Sequence, residues 1–294
     1  MGLDGSCLGV CFADNHLYFS VNHPEKENHL SHIGSIDFNF DVQTAIITGD
    51  KTGFPAIKKS LENLKETHNC NVVKILSPAV EECWTIVPRS VYEDSSEREA
   101  HISLLMHGID RSNVETIWHS TSNVDYRLLL LRNNDTMQGF NQLLGEFSHS
   151  EYVSEFEIGA DWQNHSHANG SFLMIHCTKN YISASSFILG KLRGCTFIRY
   201  ENTSDLPYLW TLYADKLPWM QGIHEEIHVF GLHSRAVADT LTPYWDDSGE
   251  IKLMSTLQSM GVDAAEKTYG FPLESAFPAI MMSLNLDAEM EQPA

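Results

Sequence analysis

Two widely separated stretches of this chain carry the same layout of apolar and polar positions. Leu8–Val21 is two short apolar runs around the polar turn Ala13–His16, and Ser171–Leu189 repeats that layout around Cys177–Asn180. A third strand follows each hairpin, Ile33–Phe40 in the first half and Cys195–Tyr200 in the second. Each third strand leads into an amphipathic helix and then a compact apolar strand. A β-β-β-α-β order occurring twice predicts two copies of one domain rather than an array of small repeats. Residues 8–76 and 172–254 are therefore expected to share a topology: three antiparallel strands, a crossover helix and a further parallel strand.

In the first half, Phe54, Ile57, Leu61 and Leu64 recur at helical spacing opposite Lys58, Lys59, Glu62 and Lys65, and this helix should end near His68-Asn69. Val72–Leu76 follows as a β-branched strand stopped by Pro78, and Thr85–Val87 forms another before Pro88. Glu97–His107 has a helical pattern, Val114–His119 and Tyr126–Leu131 are strands, and Thr136–Phe147 is a helix with Met137, Phe140, Leu143, Leu144 and Phe147 on one face. Gly159–Gly170 is polar and turn-rich, which places a linker at 161–170 between an N-terminal lobe, 1–160, and a C-terminal lobe, 171–294. Beyond it, Ser204 or Asp205 caps a helix with Pro207 in its first turn, where no amide partner is needed. Ile227–Leu232 is then a strand, Ser234–Leu241 a helix, Ile251–Met254 a strand, Ser275–Leu286 a closing helix and Asp287–Ala294 an acidic tail.

Composition changes this picture only at the edges. The formal net charge is −20, from 39 acidic against 19 basic residues. Such a surface repels phosphate backbones and anionic headgroups, so neither nucleic acid nor a membrane surface is an expected partner. The longest purely aliphatic run, Leu128–Leu131, falls far short of the ~18–20 residues of a membrane span. Six scattered cysteines without Cys-x-x-Cys, and an N-terminus without a signal-like apolar stretch, point to a reducing cytoplasm. Gly2 with Ser6 fits the short myristoylation pattern and nothing else supports it. Sequons at Asn164, Asn169 and Asn202 have no role in that compartment.

The doubled β-β-β-α-β order resembles the actin, hexokinase and Hsp70 superfamily, whose lobes are ribonuclease-H-like. Two segments sharpen the resemblance. Trp84–Tyr92, with Val87-Pro88 ending a strand, and Gly190-Lys191-Leu192 running to Tyr200–Leu209 are similar to segments of an uncharacterised bacterial family of unknown function common in Bacteroidetes. Actin-like pilus-assembly and type II secretion cytoplasmic proteins are more distant relatives by the same resemblance. It implies an α+β (α/β) actin-like fold of two ribonuclease-H-like lobes.

The resemblance also implies where nucleotide chemistry would sit. Members that hydrolyse ATP hold phosphates in the two hairpin turns with Asp-x-Gly, the acid organising Mg²⁺ and the glycine admitting backbone amides to the phosphates. Here the first turn, Ala13-Asp14-Asn15-His16, has the acid without the glycine, and the second, Cys177-Thr178-Lys179-Asn180, has neither. Gly231-Leu232-His233 stands where a Gly-Gly pair would meet adenosine. Asp4-Gly5-Ser6 has too few residues before it for the strand a phosphate turn needs. If any nucleotide bound, Asp14, Lys179 and Gly231 would face it; no cofactor is expected, and Asp14 is read as an ordinary turn residue.

His224-Glu225-Glu226-Ile227-His228 satisfies His-Glu-x-x-His, which in a zincin helix sets two imidazoles on Zn²⁺ with the glutamate as base. That motif needs a helix, yet His228 runs into Val229-Phe230-Gly231, a strand entering a turn. His224, Glu225 and His228 are therefore candidates that the local pattern argues against, as are the scattered His149, His165, His167 and His176. The expected role is a non-catalytic, cytoplasmic protein-interaction or scaffold component whose partner is another protein. The rival readings are an ATPase of the same fold and a zinc metallopeptidase.

Overall fold

The computed structural model of the chain describes residues 6–48, 50–120, 124–134, 138, 141, 149–222, 224–245, 249–264 and 270–285. The helix expected over Thr136–Phe147 lies almost wholly outside the described residues, as do Asp4, Gly5 and the acidic tail.

The first half opens with an antiparallel meander of β1 (Ser6–Ala13), β2 (His16–Asn22) and β3 (His29–Asp37). The short helix α1 (Val42–Thr48) precedes α2 (Phe54–His68), and β4 (Cys70–Ser77) returns parallel to β1. Pro55 sits in the first turn of α2, and Asn69 closes it in the left-handed region with φ 51°, its amide donating back to the last turn. An insertion follows: β5 (Glu82–Pro88), α3 (Arg89–Glu93), α4 (Ser95–Leu105), β6 (Val114–Ser120) and β7 (Tyr126–Asn133), its strands forming an antiparallel sheet in the order β5-β7-β6. The chain then rejoins the first sheet as β8 (Ser150–Ser154), parallel to β4.

The segment expected to be a linker is instead α5 (Ile158–Ser166). Ile158 and Trp162, one helical turn apart, bury the same face, while Asn164 and Ser166 are on its solvated side. The second half repeats the first: β9 (Phe172–Cys177), β10 (Tyr181–Ile188) and β11 (Lys191–Arg199) form an antiparallel meander. Helix α6 (Leu206–Lys216) crosses over, β12 (Glu226–Gly231) lies parallel to β9, and α7 (Ser234–Leu241) leads to β13 (Glu250–Leu253). The first sheet runs β14-β3-β2-β1-β4-β8 and the second β11-β10-β9-β12-β13. Without the added β14 the two strand orders are the same.

The end of the described chain crosses back. β14 (Asp263–Ala264) pairs parallel to β3, and α8 (Leu273–Leu284) lies between the two sheets. Phe277 and Ile280 of α8 share one buried cluster with Cys11 and Tyr18 from the first sheet and Phe172 and Phe230 from the second. The approach to β1 is close: a Cβ on Gly9 would stand 2.1 Å from the Ala279 carbonyl oxygen. The insertion also ties the halves. Leu128 and Leu130 on one face of its sheet pack with Phe156, Tyr181 and Cys195, while Val87, Leu129 and Leu131 on the other lie under Ile102 and Met106.

Candidate functional site

The β1–β2 and β9–β10 turns face each other across the interlobe cleft. Asp14 takes a left-handed φ of 53°, which a short polar side chain tolerates, so β1 can reverse into β2 with two residues. The second turn is held by the Thr178 amide and hydroxyl, both donating to the Tyr181 carbonyl at 2.9 Å. These geometries bring the two candidate residues together. The Lys179 ammonium lies 2.8 Å from Asp14 Oδ1 and 3.6 Å from Asp41 Oδ2. The hydrogen bond to Asp14, with the charge of that carboxylate, raises the Lys179 pKa.

Gly231, the third candidate, is nearby for a packing reason. Its φ is +94°, and a Cβ there would meet the Cys177 carbonyl oxygen at 2.2 Å and the His176 ring at 2.7 Å. The glycine lets β12 end against the second turn, and the Leu232 amide then donates to the Cys177 carbonyl. Below the turns the Glu155 carboxylate is buried between the lobes. It accepts from the Tyr181 hydroxyl and faces His176 Nδ1 at 3.1 Å, while His176 stacks on Phe230. Burial, reinforced by Glu155, pushes the Tyr181 phenol well above its usual range. The open groove beside the turns, lined by Gln43, Thr44, Lys179 and Tyr181 among others, holds about 230 Å³. That is below the ~300–1,000 Å³ typical of a ligand pocket.

The His-Glu-x-x-His residues are not brought together. His228 lies inside β12 with its ring against Trp162 and Phe172, in the core between the lobes. His224 precedes the strand and meets the Ser186 hydroxyl through Nε2 at 2.8 Å. Ser186 pairs with Leu173 and Phe187 with Phe172, and these pairs face opposite sides of the sheet, so the two imidazoles do too. Glu225 packs its carboxylate against Gly170 and donates its amide to the Ser171 carbonyl. Burial drives the His228 pKa down to about 4, with Glu226 opposing it. His165 meets the Met260 carbonyl and His176 the buried Glu155, while His149 and His167 are exposed. Among the described residues no three His, Cys, Asp or Glu side chains converge as a metal site.

Sequence reasoning missed a buried ionic network at the root of the insertion. Arg132 Nε donates to Glu82 at 2.6 Å, and Glu82 also accepts from the Ser154 hydroxyl. Glu157 accepts from the Ser154 amide at 2.8 Å and faces His119 at 2.9 Å. Burial raises Glu82 despite Arg132, whereas for Glu157 the charges of His119 and Arg132 outweigh burial and hold its pKa down. The signal was available: Arg132 and Glu82 occupy directly paired positions on β7 and β5, next to the apolar run Leu128–Leu131.

This architecture is the actin-like ATPase fold, in two ribonuclease-H-like lobes. No family model matches the chain, and no curated protein matches it significantly. Among solved structures, a chain of the PilM–PilN type IV pilus biogenesis complex superposes with a TM-score of 0.66 at 9% identity, covering 97% of this chain and 98% of that one. A Bacteroides thetaiotaomicron protein with an actin-like ATPase fold and unknown function gives 0.52 at 15% identity, over 85% of this chain and 91% of that one. The cytoplasmic domain of EpsL, from the type II secretion system of Vibrio cholerae, gives 0.47 at 9% identity and 94% of each chain. The Bacteroides protein is of the kind that the two sequence segments resemble. No helix among the described residues is long and apolar enough to cross a membrane.

Proposed function

We propose that this chain is a non-catalytic protein of the actin-like fold that works as an interaction or scaffold component in the cytoplasm. The observation that carries this reading is the Lys179–Asp14 pair. In an ATPase of this fold the two turns stand apart around phosphates, with an acid free to organise the metal. Here the acid is engaged by a cation from the opposite turn, neither turn has the glycine that admits close amides, and the groove beside them is small. The insertion supports the same reading: its sheet shares a core with the second lobe while β8, which follows it, extends the first. A protein so braced is suited to presenting a fixed surface rather than closing on a substrate. Its six free cysteines fit a reducing compartment, and the fold's occurrence in a pilus biogenesis complex is consistent with a protein partner.

The test is titration calorimetry with Mg-ATP and Mg-ADP, alongside a phosphate-release assay. No saturable binding at micromolar concentration is expected. A Kd below ~10 μM, about −7 kcal/mol, would sink the proposal and favour a nucleotide-binding ATPase.

A further inference from the structure

The outer face of the inserted sheet is only partly covered. Helix α4 buries Ile102 over β7, but beyond it Val114, Thr116 and Trp118 of β6 floor an open groove. Two cavities of about 320 and 380 Å³ adjoin there, sharing Met106 and Val114 in their linings. Ile109, which lines the second, is 57% exposed. β6 is an edge strand whose one partner among the described residues is β7, leaving a row of backbone groups on its outer side.

At one end of the groove two arginines flank Tyr92, while Glu99, which also lines it, is paired with Arg111 at 3.5 Å. The Arg98 and Arg127 guanidinium carbons stand 5.6 and 5.7 Å from the centre of the Tyr92 ring, which in turn lies 5.0 Å from Trp118. Among the described residues neither arginine has a carboxylate within 4.0 Å, although the chain carries 39 acidic residues against 19 basic ones. Both are half-buried and each donates to a backbone carbonyl, Arg98 to Tyr92 and Arg127 to Tyr126, with no anionic partner among the described residues, so a carboxylate arriving there would gain two cationic partners.

We infer that β6 is a docking edge for an extended, acidic-apolar segment of a partner protein, which adds as a fourth strand. Alternate side chains of such a strand project onto the α4 face. An apolar residue would fill the gap beside Thr116 and Met106, and an acidic one would reach Arg98 and Arg127. The inference rests on the reading of the protein as a partner-binding component and is independent of the interlobe cleft.

The test uses the full chain and two fluorescein-labelled heptapeptides, one alternating valine with glutamate and one alternating valine with lysine. By fluorescence anisotropy the glutamate peptide should saturate, with the lysine peptide at least roughly tenfold weaker. An Arg98→Glu/Arg127→Glu variant should lose the glutamate peptide by a similar factor, and amide exchange in 114–120 should slow when it binds. Raising salt to about 0.5 M should weaken binding to the unaltered protein, a check that needs no variant to fold. Equal affinity for both peptides, no saturation by the glutamate peptide below ~1 mM, or binding without protection of β6 would each overturn the inference. Sedimentation showing self-association through β6 would overturn it in favour of a second copy. Micromolar Mg-ATP binding would refute the proposed function while leaving these peptide results to stand or fall alone.

Discussion

The ammonium of Lys179 lies 2.8 Å from the carboxylate of Asp14, joining two turns that are 165 residues apart in the chain. The pair is more than one-third exposed on both sides, so it contributes little to stability. Lys179→Ala should therefore change folding stability by less than about 1 kcal/mol, as measured by denaturant unfolding. It should also confer no Mg-ATP binding, because the missing glycines remain missing; nucleotide binding by this variant alone would show that the bridge is the sole block.

Arg132 behaves differently, since it and Glu82 are both buried. Arg132→Met should destabilise the protein by about 3–5 kcal/mol by stranding a buried carboxylate. Adding Glu82→Met should recover much of that loss. Equal damage from the single and double variants in urea unfolding would mean that the arginine acts through packing rather than charge.

Asp161 is buried, and its pKa is raised from 3.8 to about 7, chiefly by burial, with Lys74 opposing. The sign follows from proton linkage. Between the two values the folded state holds the proton and the unfolded chain does not, so this group's contribution to stability falls as pH rises through that window. Asp161→Asn should be neutral near pH 3.5, increasingly stabilising as pH rises through the window, and stabilising near pH 8 by on the order of 4 kcal/mol. Melting curves of both proteins across that range decide the point.

His228 has the opposite dependence. Its pKa is lowered from 6.5 to about 4, so the unfolded chain binds the proton first and stability is lost as pH falls through that interval. His228→Phe, which keeps a ring against Trp162 and Phe172, should flatten the acid limb of the stability curve. One equivalent of zinc in the wild type, removed by His224→Ala, would reverse the reading of both histidines and make a peptidase the leading candidate.

Gly9 is where the closing helix meets β1. Gly9→Ala should cost at least about 1–3 kcal/mol, because the added methyl meets the backbone of Ala279 rather than a side chain that can swing away. Thermal unfolding with near-native melting temperature would mean that α8 shifts freely on the sheet.

Much of this architecture was legible because each repeat unit is local. A hairpin, its turn and an amphipathic helix are specified by neighbours within some thirty residues, and Phe54, Ile57, Leu61 and Leu64 mark the buried side of α2 without any reference to the rest of the chain. The same local logic set His228 on a strand. It failed at α5, whose polar side resembles a linker when Ile158 and Trp162 are not known to have a core to enter. It did not single out β8 or α1, short segments whose order depends on the sheet and turn they join.

The sequence by itself determined the doubled topology and the absence of glycine from the two hairpin turns, because both depend on residue type and short-range spacing. Tertiary structure alone decided that Lys179 would engage Asp14, that His224 and His228 would face opposite sides of a sheet, and that Arg132 would find Glu82 and the Glu157 shell. Those outcomes depend on which surfaces meet after the chain has crossed between lobes. The energies involved are those of burial and charge pairing between groups that the linear order keeps far apart.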